Sequence, residues 1–116
     1  MHRILSFKYA LAGITSAVRE EPNLKIHLFI ALLVILLGIL FGITQTEWLF
    51  IIILIGLVIS LELTNTAIEA VVNAFTDKEH PGAKLAKDIS AGAVLVTAIT
   101  SIIVGLIIFL SYIHFE

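Results

Sequence analysis

Three long stretches with almost no polar side chains constrain this chain of 116 residues more than any other feature. His27 is the one strongly polar residue within residues 26–43, and no charged residue occurs within 48–61 or 89–114. Charged residues make up 14% of the chain, against about 25% in an ordinary soluble domain. Runs of this length and composition are typical of helices that cross a bilayer. The sequence therefore predicts one small, all-helical integral membrane domain over residues 1–116.

Polar interruptions divide the chain into an N-terminal helix and three spans. Residues 2–21 carry apolar side chains at alternating three- and four-residue spacing, which is typical of an amphipathic helix lying in the membrane interface. Packing of that helix against the rest of the protein is the alternative. Pro22 ends it, and Asn23 is predicted to cap the next helix. The spans are predicted over residues 26–43, 48–75 and 85–113, with a turn at 44–47 and a loop at 76–83.

The basic residues set the expected orientation. Four of them precede the first span, three lie between the second and third spans, and the turn at 44–47 has none. Because basic residues favour the cytoplasmic side, the N-terminus and the second loop are predicted to be cytoplasmic. The first turn and the C-terminus are then predicted to lie outside.

Composition and missing motifs exclude several classes of function. The net charge of −2 leaves no basic field for nucleic acid, so no nucleic-acid partner is predicted. The chain has no cysteine, which excludes disulfides and thiolate metal sites. Neither the P-loop pattern nor the Rossmann glycine pattern occurs, so no known soluble nucleotide-binding motif is present.

One polar stripe ends the second apolar run, in the segment ELTNTAIEAVVN at residues 62–73. On a helix its four polar members fall within an arc of roughly 80°; they are Glu62, Asn65, Glu69 and Asn73. A charged group costs roughly 2.5–3.5 kcal/mol within hydrocarbon, so such a group indicates a functional site. The alternative is that Glu62 marks the membrane boundary and its side chain reaches water. That would explain Glu62, but not Asn65 and Glu69 on the same side of the helix.

The depth of the stripe indicates its chemistry. Measured from Trp48 along a helix, Glu62 lies roughly 21 Å and Glu69 roughly 31 Å deep, against a hydrocarbon thickness of about 30 Å. Lys87 and Asp88 are expected at the same edge, unless they form only a helix-start pair. Carboxylates beside a lysine suit Mg²⁺ and phosphate, and a further carboxylate can take a proton from an alcohol. This set favours phosphorylation of a membrane-embedded alcohol. His27 is expected to be interfacial or hydrogen-bonded and not a metal ligand.

The motifs ELTNTAIEAVVN and AKDISAGAVLV closely resemble the signature of the small bacterial diacylglycerol kinase and undecaprenol kinase family. The resemblance implies a homotrimer of three-span chains in the bacterial cell membrane, with active sites shared between neighbouring protomers. It also implies Mg²⁺ as cofactor, ATP as phosphate donor and a lipid alcohol as acceptor. The patterns KIH and HPGAK resemble the Gram-positive members. Undecaprenol is therefore the expected acceptor, and diacylglycerol is the alternative.

The same resemblance assigns expected roles to single residues. Glu62 matches the general base, and Asn65 matches a residue that helps position the lipid hydroxyl. Glu21 and Glu69 match the carboxylates that hold Mg²⁺. The expected nucleotide contacts are Tyr9, Glu21, Glu69, His80, Lys87 and Asp88, with Arg3 near the nucleotide and the lipid head. Asn73 stands where the family usually has aspartate, so an acceptor oxygen is kept but the negative charge is lost.

Two other classes of function remain open from the residues alone. A small oligomeric transporter would use Glu62 as a proton or cation site, which predicts an acid near the membrane midplane. A helper subunit would use small residues only for helix packing. Four glycines suit that purpose: Gly38, Gly42, Gly56 and Gly105.

Overall fold

The computed structural model describes residues 3–76 and 80–113, with side chains from Ser6 onward. The regular secondary structure of this part is four helices, in chain order α1 (Arg3–Glu20), α2 (Pro22–Phe41), α3 (Gln45–Phe75) and α4 (Pro81–Leu110). By length and composition α2, α3 and α4 are each able to cross a membrane. The predicted all-helical class and the three candidate spans are confirmed. His114 and Phe115, at the end of the last uncharged run, lie outside the described residues.

The start of α2 differs from the prediction. The N-cap is Glu21, whose side chain makes no capping hydrogen bond, and Pro22 is the first helical residue. The predicted Asn23 cap is therefore wrong. A proline fits the first position because the N–H it lacks has no partner there in any helix, and its fixed φ already suits the helix.

The first turn is shorter than predicted because α3 begins at Gln45. The Thr44 hydroxyl accepts a hydrogen bond from the Glu47 N–H at 3.2 Å, and the Glu47 carboxylate accepts one from the Thr44 N–H at 3.0 Å. This reciprocal capping box satisfies two N–H groups that the helix itself leaves unpaired. Residues 45–47 thus belong to the helix and not to a turn.

The second loop is also shorter than predicted. Nδ1 of His80 accepts hydrogen bonds from the N–H groups of Gly82 and Ala83, at 3.1 and 3.2 Å. His80 is therefore the N-cap of α4, which begins at Pro81 and not near Lys84. The side chain supplies the acceptor that asparagine or serine usually supplies at this position.

Two glycines build the joint between α2 and α3. Gly42 ends α2 at φ 62°, a left-handed conformation that costs glycine little. Gly38 lies against Trp48, and a Cβ there would come within 2.7 Å of the indole. Gly38 thus serves helix packing, whereas Gly42 is a cap. Added Cβ atoms at Gly56 and Gly105 would meet nothing within 4 Å, so the predicted packing role of these two is not seen within the chain.

The buried core is narrow and lies near that joint. It consists of Ile43, Ile51 and Ile108, with the rings of Phe41 and Phe109 packed against it. Most other large apolar side chains are exposed; Leu40 is 76% and Ile107 69% accessible. Exposed apolar surface on this scale is unfavourable in water and is expected of a helix bundle embedded in lipid.

Candidate functional site

A buried carboxylate lies where α3 passes the start of α2. Glu62 is 5% exposed, and its Oε1 lies 3.2 Å from Nε2 of His27. An N–H···O contact at this distance is within hydrogen-bonding range. His27 thus makes a polar contact, as predicted, although its partner was not predicted. No group of three or more His, Cys, Asp or Glu side chains that would hold a metal occurs among the described residues.

The polar stripe continues along α3 toward its end. The amide nitrogen of Asn65 donates to Oε1 of Glu69 at 3.3 Å. Glu62 is buried, Asn65 and Glu69 are half-buried, and Asn73 is exposed. The stripe therefore forms one face, and it becomes more accessible in the direction in which α3 leaves the bundle.

Asn65 carries an unsatisfied atom. Its Oδ1 is buried and accepts no hydrogen bond from any residue that the structure describes. Leaving a buried acceptor unpaired costs about 1–3 kcal/mol, which a ligand that brings a donor removes. A hydroxyl group is such a donor.

The start of α4 supplies charge but does not join the stripe. Nζ of Lys84 lies 2.5 Å from the Asp88 carboxylate, an exposed pair four residues apart. Lys84, and not Lys87, is therefore the partner of Asp88, because residues four apart share a helix face and adjacent residues do not. Lys87 is half-buried. Within the described part of the chain, no hydrogen bond or ion pair links Lys87 or Asp88 to Glu62 or Glu69.

Among the described residues, no hydrogen bond or ion pair links the other expected site residues to the stripe. Tyr9 is 60% exposed on α1. Glu21 is half-buried at the junction of α1 and α2, and Nδ1 of His80 is engaged by its own helix. Arg3 belongs to α1, but its side chain lies outside the described part. The single chain thus brings together His27, Glu62, Asn65 and Glu69, and not the full expected set.

Glu21 and Glu69 are the carboxylates available to a magnesium ion. Among the described residues, Glu69 is engaged only by a neutral amide, and the Glu21 side chain makes no capping hydrogen bond. Mg²⁺ in proteins keeps several waters and is held by one or two carboxylates together with substrate phosphates. This donor set fits an ion of that kind.

An apolar groove of about 410 Å³ runs between α2, α3 and α4 and reaches the Glu62 contact at His27. Its outer wall includes Ile102 and Leu106, which are 60% and 52% exposed, so the groove opens on the surface of the bundle. Among its lining residues only His27 and Ser101 have polar side chains. The Ser101 hydroxyl donates to the Thr97 carbonyl at 2.9 Å. The lining residues are His27, Ile30, Ala31, Val34, Leu37, Ile51, Leu54, Ile55, Val58, Ile59, Ala98, Ser101, Ile102, Gly105, Leu106 and Phe109.

Sequence reasoning had not placed His27 in the site. The available signal was its position, since an imidazole just inside an uncharged run needs a polar partner. Nothing in the local pattern identifies that partner, because Glu62 lies 35 residues further along the chain on another helix.

Comparison with known proteins gives consistent matches. The sequence model of the family described as prokaryotic diacylglycerol kinase matches residues 8–109. The chain is 50% identical to the undecaprenol kinase of Bacillus subtilis over 105 residues, which cover 90% of this chain and 85% of that protein. It is 40% identical to a diacylglycerol kinase of Synechocystis, over 88% of this chain and 59% of that protein. It is 35% identical to the diacylglycerol kinase of Haemophilus influenzae, over 93% and 92% of the two chains.

Proposed function

The chain belongs to the prokaryotic diacylglycerol kinase family, and on that basis we propose that it transfers the γ-phosphoryl group of ATP to undecaprenol within the membrane. One observation carries the proposal. A buried carboxylate, Glu62, contacts His27, which lines one end of an open apolar groove. Diacylglycerol is the alternative acceptor.

The chemistry needs a base at the lipid hydroxyl. The hydroxyl oxygen attacks the γ-phosphorus, and the new O–P bond forms as the bond from phosphorus to the β–γ bridging oxygen breaks. The hydroxyl proton passes to Glu62, which later releases it to water, so the products are lipid phosphate, ADP and a proton. Asn65 supports binding before this step: its Oδ1 accepts the single hydrogen bond of the incoming hydroxyl, and that proton then turns to Glu62 for the transfer.

The lining of the groove favours a polyprenol over diacylglycerol. A polyprenol needs only apolar surface below its hydroxyl, and nearly all of the groove is apolar. The ester carbonyls of diacylglycerol need hydrogen-bond donors, but the Ser101 hydroxyl already donates to Thr97. Unpaired polar groups in an apolar site lower affinity. The 50% identity to an undecaprenol kinase supports the same choice.

The nucleotide is proposed to bind at the accessible end of the stripe. Glu69 and Glu21 are the carboxylates that hold Mg²⁺ there. When bound, the ion neutralises charge on the phosphates and orients them. The remaining proposed contacts to the nucleotide are Tyr9, His80, Lys87 and Asp88, and Arg3 and Asn73 are proposed as supporting or substrate residues. At Asn73 an amide oxygen remains as a hydrogen-bond acceptor.

We propose that three chains assemble and share their active sites. Within one chain no described contact joins Lys87 or Asp88 to the α3 stripe, so a neighbouring chain is needed to complete the set. Much of the apolar helix surface is exposed and available for such packing. In bacteria the assembly would lie in the cell membrane. Its N-terminus would be cytoplasmic, because the basic residues gather on that side.

In this arrangement α1 lies in the membrane interface. Phe7, Leu11 and Ile14 are exposed on it, at 68%, 50% and 44%. Lys8 and Arg19 on the same helix are also exposed. Apolar side chains that enter the headgroup region and basic ones that contact phosphates suit that position.

The test is phosphorylation by the purified protein in mixed micelles with labelled ATP and Mg²⁺. Undecaprenol and diacylglycerol are offered in parallel, and the Glu62→Gln protein is the control. Label predominantly in undecaprenol is the expected result. Label predominantly in diacylglycerol would change the acceptor but keep the kinase. Label in neither lipid, with a folded protein, would overturn the proposed function in favour of a transporter or a helper subunit.

A further inference from the structure

The proposed reaction requires that Glu62 direct one oxygen at the lipid hydroxyl, and a glutamate side chain has three torsions to fix. We propose that His27 is the residue that positions Glu62, holding Oε1 so that Oε2 remains for the acceptor hydroxyl. This inference rests on the proposed function. It assigns a role in the reaction to a residue on a different helix from the base.

The contact itself is the first support. Nε2 of His27 lies 3.2 Å from Oε1 of Glu62, and the two side chains are 22% and 6% exposed. No other hydrogen bond or ion pair of either side chain occurs among those of the described residues. A buried carboxylate with a single charged or polar side-chain neighbour depends on that neighbour for its orientation.

The surroundings of His27 hold the imidazole in place. Leu24, one turn earlier on α2, is 1% exposed and anchors the start of the helix. Ala31, one turn later, lines the groove together with His27. The imidazole therefore lies at the end of the groove, on an anchored helix start, and contacts the carboxylate of Glu62.

The position of His27 connects the groove, through which the lipid is proposed to enter, with the base Glu62. A lipid chain that fills the groove brings its hydroxyl past the ring that holds Glu62. Misplacement of a reacting group by about 1 Å costs roughly 10²-fold in rate. Loss of the imidazole is therefore expected to slow turnover without weakening the binding of ATP, which contacts other residues.

The kinetic test compares His27→Leu with His27→Gln. The leucine variant is expected to lose about 10- to 100-fold in kcat, with KM for ATP within about twofold of wild type. Glutamine keeps an N–H donor of similar reach, so it is expected to recover most of that loss. Asn23→Leu is the matched control, since it makes the same polar-to-apolar change one turn earlier on α2 at an exposed position. It is expected to keep wild-type kcat.

The outcomes separate the two proposals. A wild-type protein that phosphorylates neither lipid overturns the proposed function. An active wild type with an equally active His27→Leu variant overturns the inference alone. A glutamine variant as slow as the leucine variant also overturns it, because the donor would then be irrelevant.

A second readout needs no turnover. The chain has four histidines, so ¹⁵N-labelled imidazole resonances can be assigned in micelles by using the His27→Gln protein. Glu62→Gln is expected to shift the Nε2 resonance of His27, whereas Glu47→Gln at the far end of α3 is expected to leave it in place. A His27 resonance that ignores the Glu62 substitution shows that the contact does not form, and the inference fails.

Discussion

At the residue scale, Glu62 and Glu69 carry the same carboxylate in different surroundings. Glu62 is buried beside an imidazole, whereas Glu69 is half-buried and accepts a hydrogen bond from the Asn65 amide. A base that acts on a lipid hydroxyl should be buried at the edge of the hydrocarbon region. A carboxylate that binds a hydrated ion should be accessible to water. The two exposures match the two proposed roles.

Replacing Glu62 by glutamine tests the proton transfer. The substitution keeps the size and removes the base, so kcat is expected to fall by about 10²-fold or more. The fall in kcat is measured by phosphate transfer to lipid in mixed micelles. Glu47→Gln makes the same change on the same helix outside the site, and it is expected to keep wild-type turnover. Near-normal turnover in Glu62→Gln would remove Glu62 from the role of base.

Replacing Asn65 by leucine separates function from stability. The change removes a buried, unpaired acceptor together with one hydrogen bond, so the free energy of unfolding is expected to stay within about 1 kcal/mol of wild type. Turnover is expected to fall about 10-fold or more, because the hydroxyl loses the oxygen that receives it before its proton turns to Glu62. Unfolding in mixed micelles and the lipid assay measure the two effects. Loss of stability with unchanged turnover would show that Asn65 is only structural.

At the scale of elements, the joint between α2 and α3 is held by close packing. Gly42 ends α2, the Thr44–Glu47 capping box begins α3, and Trp48 then lies on Gly38. These three features fall within eleven residues. The two helices are therefore joined by a short connection whose ends are capped by hydrogen bonds. Because the turn is this tight, the register of α3 against α2 follows from it, and that register brings Glu62 to His27.

Gly38→Ala is expected to weaken this joint. The added methyl would lie 2.7 Å from the Trp48 indole, which is rigid, so the helices must move apart. Overpacking of this kind typically costs about 1–3 kcal/mol. Gly56→Ala is the matched control, because its Cβ meets nothing within 4 Å and alanine favours a helix. Unfolding in mixed micelles compares them, and equal stability of the two variants would contradict the packing argument.

At the scale of the whole molecule, one end of the helix bundle is polar and charged, and the other end is mainly apolar. The end where α2 and α4 begin carries the polar stripe and the charged side chains. The opposite end is closed by the apolar core and by the hydroxyl of Tyr112, which donates to the Glu47 carboxylate. This hydrogen bond ties the end of α4 to the start of α3 and raises the pKa of Tyr112 above its usual 10.0.

The titration of Tyr112 tests whether its hydrogen bond to Glu47 forms. Because the folded-state pKa is raised, the contact stabilises the fold fully below pH 10 and is lost as the pH rises through the higher folded pKa. In a Tyr9→Phe protein Tyr112 is the only tyrosine, so absorbance of tyrosinate follows it alone. Glu47→Gln is expected to lower the midpoint. An unchanged midpoint would show that the hydrogen bond does not form in solution.

The shared active site is tested by mixing inactive chains. Glu62→Gln and Lys87→Ala proteins are each expected to lose most activity, and their mixture is expected to recover part of it. If each site takes Glu62 and Lys87 from neighbouring chains of a trimer, random assembly restores about a quarter of wild-type activity. Trimer mass by light scattering is the companion measurement. A mixture that stays inactive despite verified exchange of chains would contradict shared sites.

The helices, the candidate spans and the polar stripe can be predicted from the amino-acid sequence. Each of these follows from composition and from a 3.6-residue period, which are local properties of the chain. The Lys84–Asp88 pair was equally available from its four-residue spacing. The starts of α2 and α4 at Pro22 and Pro81 were placed too late, because proline suits the first helical position as well as it breaks a helix.

The contacts that the stripe makes with other helices depend on how the helices pack. The contact of His27 with Glu62, the groove that leads to it and the closure of the far end by Tyr112 each join residues of different helices. A periodic pattern fixes which residues share a face, but it leaves open which face of a neighbouring helix packs there. That choice depends on the tight joint at Gly38 and Trp48. The pairing of an imidazole with a buried carboxylate follows from that packing and not from the sequence around either residue.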